Sequence, residues 1–337
     1  MGVYVLRRLL IAALTVLTVS FAAFVGFGLS FDPAYQIVGN HERHAFVVAY
    51  YHLGDPILSR YWRWLTGLFQ HGFGTTVSLD VMGTVPPRLG TPGTAIGPAI
   101  LRAAANTAEL VGTALVLVLA GSAFVGTIAA RRHRFHADVS VRLLAYLGAA
   151  VPTFLIGDLL RRVIVPHEEF RLVPGGFSVT SHGSWFVLGP PAGGFVDWVR
   201  HMVLPVTALA LGLIGIYARH VRSSMIVALG EPYVQVARAK GLPERRVVVR
   251  HALRNALIPL TSLLSLEIGG VIGASIAVDA VFLTGGLAST FLGALAAADP
   301  FFLTALLVMT AVVVSVFAFL GDALVGLLDP RTRASTA

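Results

Sequence analysis

The chain has 337 residues, 56% of them hydrophobic and 12% charged, with a formal net charge of +8 and no cysteine. A soluble domain carries about 25% charged residues and could not bury this much apolar surface, whereas a chain solvated by hydrocarbon need not bury it. The absence of cysteine excludes disulfides, thiolate metal sites and cysteine nucleophiles; the lone lysine, Lys240, is followed by Gly241, which excludes a Gly-Lys-Ser/Thr phosphate loop.

Six apolar segments follow in chain order, at roughly 8–30, 102–130, 140–165, 199–221, 256–279 and 301–327. Each is close to or longer than the ~20 residues that cross a bilayer as a helix. Arg7 and Arg8 before the first run resemble a signal peptide, but Leu9 to Leu29 is longer than a typical signal core. A retained first transmembrane helix is therefore expected. Leu6 stands where a myristoylation motif needs Ser or Thr.

Residues 31–101 are polar and aromatic, rich in Gly, Pro, His and Trp. Tyr61-Trp62-Arg63-Trp64 suits a helix at the membrane interface, where amphipathic rings settle at headgroup depth. Gly83 to Pro98 holds four prolines and four glycines, which predicts an irregular loop. His41-Glu42-Arg43-His44 approaches a zinc-protease helix motif, but Ala45 occupies the place of the second histidine. These are read as surface histidines, and no metal site is expected.

Charge sets the orientation. Arg131, Arg132 and Arg134 follow the second apolar segment, and 219–254 carries Arg219, Arg222, Arg238, Lys240, Arg245, Arg246, Arg250 and Arg254 against Glu231 and Glu244. Arg331 and Arg333 lie in the tail, whereas 166–198 is acidic through Glu168, Glu169 and Asp197. The positive-inside rule then places both termini and 219–254 in the cytoplasm and 31–101 outside. The basic excess reports topology, so no nucleic-acid partner is expected.

An intramembrane protease could draw on Asp158, Asp279 and Asp322, but none lies in a catalytic motif and no Gly-x-Ser-x-Gly elbow occurs. Ionisable groups in or near the spans are Glu109, Asp158, Glu267 and Asp322. Such groups are expensive in lipid and usually face a cavity or a partner, which makes Glu267 a candidate for lining a translocation pathway. Gly269, Gly270, Gly273 and Ala274 would allow close helix packing.

The stretch Glu231 to Pro259 reads as a helix, a break and a second helix. Ser223 to Lys240 are mostly good helix formers. Gly241 can adopt the left-handed conformation that ends a helix, and Pro243 fits the first turn of the next. Ala237 and Ala239 keep the first helix slim, so that a partner backbone could approach. The stretch is expected to dock a short helical pair into a groove on a cytoplasmic partner, with an ordinary basic loop as the alternative.

Tyr233-Val234, Ala237-Arg238-Ala239-Lys240-Gly241-Leu242, His251-Ala252, Asn255-Ala256 and Pro259 closely resemble the EAA loop of ABC importer permeases of the oligopeptide/dipeptide/nickel subfamily. Leu204-Pro205, Val221-Arg222-Ser223-Ser224-Met225, Asn106-Thr107-Ala108-Glu109-Leu110 and Asp329-Pro330-Arg331 add to the resemblance. It implies an all-α membrane protein of the type I importer fold with six transmembrane helices, the B-type member of a permease pair. Its parts would be a first transmembrane helix (1–30), an extracytoplasmic segment (31–101), a permease core (102–327) containing the coupling loop 223–259, and a cytoplasmic tail (328–337).

The resemblance further implies that Glu231, Ala237, Ala239, Lys240, Gly241, Pro243, Asn255 and Pro259 couple to ATPases. The partners would be a second homologous permease, two cytoplasmic ATPase subunits holding ATP and Mg, an extracytoplasmic solute-binding protein and lipid. This chain would hold no cofactor and would reside in a bacterial or archaeal cytoplasmic membrane. The implied cargo is a peptide, with nickel or another small solute as the alternative; a protease or a non-transporting scaffold is the competing class. Ser30-Phe31-Asp32-Pro33, the Asp279 to Ala288 loop and an apparent insertion at 80–101 depart from the subfamily pattern.

Overall fold

The computed structural model describes residues 2–30, 48, 52, 54–71, 96–131, 139, 143, 150–164, 194–296 and 300–328. All of its regular elements are helical. They are α1 (Gly2–Ser30), α2 (Ile57–His71), α3 (Ile96–Arg131), α4 (Thr153–Ile164), α5 (Gly194–Gly230) and α6 (Pro232–Ala239). Glu244–Arg246, Val247–Leu253 and Arg254–Ala256 follow as α, π and α pieces, together called α7. The chain continues as α8 (Ile258–Phe282), α9 (Leu287–Ala296) and α10 (Pro300–Leu328).

Four of these helices contain stretches long and apolar enough to cross a membrane: Leu6–Ser30, Ile96–Arg131, Gly194–Gly230 and Pro300–Ala323. A fifth is gained if Glu267–Phe282 and Leu287–Ala296 form one broken span. The expected span at 140–165 is described mainly by Thr153–Ile164, and most of its first half lies outside the described residues. The histidine cluster at 41–44, most of the Gly83–Pro98 segment, the basic residues Arg132 and Arg134, and the tail beyond 328 lie outside them as well.

Several boundaries differ from expectation. α3 begins at Ile96, so the end of the expected irregular loop is helical; Pro98 is tolerated in a first turn, where the N–H it lacks would have no intrahelical partner. α5 is 37 residues long rather than the expected 199–221. At 1.5 Å per residue it spans about 55 Å, well beyond the ~30 Å of hydrocarbon. Its excess turns therefore carry the chain out of the apolar layer. α9 was not expected from the sequence.

The chain divides into two compact units. In the first (residues 1–107 and 285–315), α2 lies against α1 through its aromatic residues. The Tyr61 ring meets Phe21 and Phe24 edge-on at 5.2 and 5.6 Å, its hydroxyl lies 2.7 Å from Ser20 Oγ, and Trp64 lies 5.6 Å from Phe24. Leu58 and Trp62 on another face of α2 stay exposed. The expected interfacial segment is thus helical and uses alternate aromatics on alternate faces. Asn106 and Thr107 fix the start of α9: the Asn106 amide donates to Gly285 O at 3.1 Å, and Leu287 N–H donates to Thr107 Oγ1 at 2.9 Å. A side-chain oxygen that takes an otherwise unpaired first-turn N–H acts as a cap.

The second unit (residues 108–284 and 316–337) is centred on α5. At one end Leu110, Ala114, Met202, Leu209, Val278 and Phe282 form a buried cluster drawn from α3, α5 and α8. At the other, Tyr217, Val221 and Met225 of α5 are buried with Val234 and Ala237 of α6 and with Val247, Val248, Ala252 and Ala256 of α7. α3 approaches α5 closely at Gly126, where a Cβ would lie 2.7 Å from both Ala218 O and Val221 Cβ. Gly126→Ala is expected to destabilise the protein by about 1–3 kcal/mol, because a backbone atom cannot yield as a flexible side chain would. Gly112→Ala on the same helix meets nothing within 4 Å and is expected to be near neutral; thermal melts of the two variants in detergent check the contrast.

Candidate functional site

The helical pair expected from 231–259 is present, with a different division. The long stretch of helix formers is split at Gly230-Glu231-Pro232, so the first helix of the pair is the eight-residue α6. Glu231 is its N-cap residue in an extended conformation (φ −68°, ψ 146°), without a side-chain cap. Pro232 opens the helix, where its fixed φ suits the first turn.

Gly241 ends α6 as the sequence predicts, with φ +74°. Its N–H donates to Arg238 O at 2.9 Å, and Leu242 N–H donates to Ala237 O at 3.4 Å. Those two bonds are the paired closure of a Schellman turn, which satisfies carbonyls left over at a helix end. Leu242 packs onto the core that contains Ala237, completing the apolar contact typical of that turn. Pro243 lies one position earlier than expected: it is the extended residue before α7 (φ −62°, ψ 138°), and its carbonyl accepts from Arg246 and Val247 at 2.8 and 3.1 Å.

A guanidinium fork bridges the break. Arg238 Nη2 donates to Glu244 Oε1 at 2.9 Å and Nε to Oε2 at 3.2 Å. The hydrogen bonds from Arg238 hold the Glu244 carboxyl below the usual carboxylate range, and the same bonds raise Arg238. A lowered folded-state value means that this contribution is present above the unfolded value of about 4.3 and is lost as pH falls through the lowered one. Both groups are exposed to solvent, so it is worth roughly 0.2–1 kcal/mol. The stability difference between wild type and Glu244→Gln is expected to be flat from neutral pH to about 5 and to vanish in acid; denaturation at stepped pH measures it.

α7 contains a π segment, Val247–Leu253, that no sequence signal announced. Its buried Val248, Ala252 and Ala256 recur every four residues. A four-residue step overshoots the 3.6-residue α turn, and the wider π turn compensates for it. α7 and α8 are separated by Leu257 alone.

The site residues expected from the sequence occupy distinct positions. Ala237 is 5% exposed and faces this chain's own core, so its small size serves internal packing; Ala239, Lys240, Gly241 and Pro243 are exposed. Glu231, Asn255 and Pro259 line an open cleft of about 860 Å³ together with Ser223, Ser224 and Tyr233. Sequence reasoning missed the outward pair Tyr233 (39% exposed) and Val236 (53% exposed). The available signal was their spacing, three apart and out of phase with the buried Val234 and Ala237.

The ionisable groups of the spans also separate. Glu109 is buried and accepts the Trp198 indole N–H; Asp158 pairs with Arg162 at 2.7 Å; Asp279 is buried and accepts the Thr284 hydroxyl at 2.6 Å. Glu267 alone of these joins an exposed position to a buried donor, accepting the Tyr217 hydroxyl at 2.8 Å. Gly269, Gly270 and Gly273 do not pack closely within this chain: a Cβ at any of them would meet nothing within 4 Å.

Long apolar helices, joined to a helical pair that turns the exposed Tyr233 and Val236 outward, define a helical membrane protein. The chain belongs to the family of binding-protein-dependent transport system inner membrane components, whose model matches residues 122–334. It is 30% identical to the oligopeptide transport system permease protein OppB of Mycobacterium tuberculosis (strain ATCC 25618 / H37Rv), covering 98% of this chain and 99% of that protein. It is also similar to the oligopeptide permease AppB of Bacillus subtilis (strain 168), at 29% identity over 98% and 99% of the two chains. The dipeptide permease DppB of Escherichia coli (strain K12) is 27% identical, over 98% of each.

Proposed function

We propose that this chain is one of two homologous permease subunits of an ATP-driven peptide importer, with the type I fold, six membrane spans and cytoplasmic termini. Its partners are the second permease, two ATPase subunits carrying ATP and Mg, and an extracytoplasmic binding protein that delivers the cargo. The observation that carries this reading is the preorganised helix α6. It is closed by a left-handed glycine, anchored through Val234 and Ala237, and presents Tyr233 and Val236 outward. The peptide names of the quoted relatives favour peptide over nickel as cargo.

In this mechanism the ATPases close on ATP and draw α6 with them. The core shared by α5, α6 and α7 makes the pair move as one piece, and α7 passes the motion into α8. Nucleotide thereby favours one conformation of the bundle by binding it more tightly, which any population shift requires. Purification of the complex from its native membrane tests the assignment. ATPase subunits that cross-link to α6, together with ATP-dependent peptide uptake after reconstitution, are expected; a complex without a nucleotide-hydrolysing companion at α6 would refute it.

A further inference from the structure

Glu267 and Tyr217 form a pair that the coupling mechanism leaves unused. α8 carries two carboxylates: Asp279 is buried and bonded to Thr284, whereas Glu267 is exposed. An exposed carboxylate in an apolar spanning helix faces water or a partner rather than hydrocarbon. Tyr217 is 1% exposed, so its ring is fixed in the core while its hydroxyl reaches Glu267 Oε2 at 2.8 Å. Among the described residues no other hydrogen bond or ion pair reaches this carboxylate, and an ionised carboxyl accepts several donors. One oxygen is held in place, and the other has no hydrogen bond among the described residues. About one turn further on, Gly270 is exposed and leaves open space.

We propose that Glu267, oriented by Tyr217, is a cation-accepting station in the translocation pathway that takes the primary ammonium of a peptide cargo. An ammonium brings N–H donors and positive charge, the complement of an anchored carboxylate, and charge-assisted bonds of this kind are the strong ones. Gly270 leaves room for the cargo backbone beside the charge. Glu267 is the ligand here and Tyr217 the positioning residue. The inference rests on the importer reading, but its first test does not require transport.

The chain has no cysteine, so Gly270→Cys places a single thiol on it in the assembled complex, one turn from Glu267. Its reaction with a trimethylammonium-bearing methanethiosulfonate is expected to exceed that with the sulfonate-bearing analogue at least tenfold, after correction for a free thiol. Adding Glu267→Gln should cut this preference at least fivefold, and adding Tyr217→Phe should cut it less. A thiol that neither reagent reaches would show a face sealed by the second permease and overturn the proposal. A cation preference unchanged by Glu267→Gln would overturn it too.

Without the added cysteine, Glu267→Gln in this chain is expected to lower uptake of lysine-free peptides with a free amino terminus at least tenfold, with Glu267→Asp partly restoring uptake. A parallel fall for N-acetylated lysine peptides would assign any primary ammonium, and a fall confined to free termini would assign the terminal one; unchanged uptake of both would overturn the proposal. If the wild-type complex takes up no peptide, the importer reading fails, and the thiol rates still judge the site.

Discussion

Gly241→Val is expected to abolish ATP-driven uptake, lowering it more than tenfold, while the chain still inserts in the membrane. The cause is conformational rather than steric: a Cβ here meets nothing within 4 Å, but the backbone sits at φ +74°. Left-handed geometry costs an L-residue about 1–2 kcal/mol and a β-branched one more. That cost falls on the turn that aims α6, whose closure depends on the Gly241 and Leu242 N–H bonds. A valine relieved of the strain would unwind the last turn and detach α6 from α7. Asparagine tolerates this region, so Gly241→Asn is expected to keep uptake within about threefold of wild type. ATPase co-purification and vesicle uptake across glycine, asparagine and valine measure the series, and a fully active valine variant would sink the explanation.

Val236→Asp is expected to release the ATPase subunits while leaving the permease folded. Val236 is half exposed, and exposed substitutions outside special features usually change stability by under about 0.5 kcal/mol. Once an apolar edge is covered by a partner, an unpaired carboxylate there costs at least ~1–3 kcal/mol, or roughly tenfold to hundredfold in affinity. Tyr233→Ala should weaken association by loss of contact, without a buried charge, and so by less. Val234→Asp makes the contrast: it buries the charge in this chain's own core and is expected to reduce folded yield. Retained ATPase binding by Val236→Asp, read as subunit ratio after purification, would move the docking surface elsewhere.

What was legible in the sequence has local causes. Apolar runs place the helices because each residue's transfer to lipid adds up along the chain regardless of its neighbours. α10 accordingly runs Pro300–Leu328 against an expected 301–327. Gly241 was legible for a similar reason: only a residue without a Cβ is at ease at positive φ, and Lys240-Gly241-Leu242-Pro243 leaves one natural place to stop a helix. The basic stretch and the helical pair were legible together because the family motif is continuous. The eight-residue length of α6 was not, since helix formers on both sides of Pro232 outweighed the break in a composition-based reading.

The sequence by itself therefore determined that the chain is membrane-embedded and helical, that a glycine closes α6, and which family its loop resembles. The tertiary structure decided what each side chain faces. It turned Ala237 inward and Ala239 outward, gave Asn106 and Thr107 the start of a helix some 180 residues away, set a π turn in α7, and joined Tyr217 to Glu267 across 50 residues. Burial and hydrogen-bond partnership belong to pairs of residues brought together by packing. Backbone preference and hydrophobicity belong to single residues, and only these can be read one letter at a time.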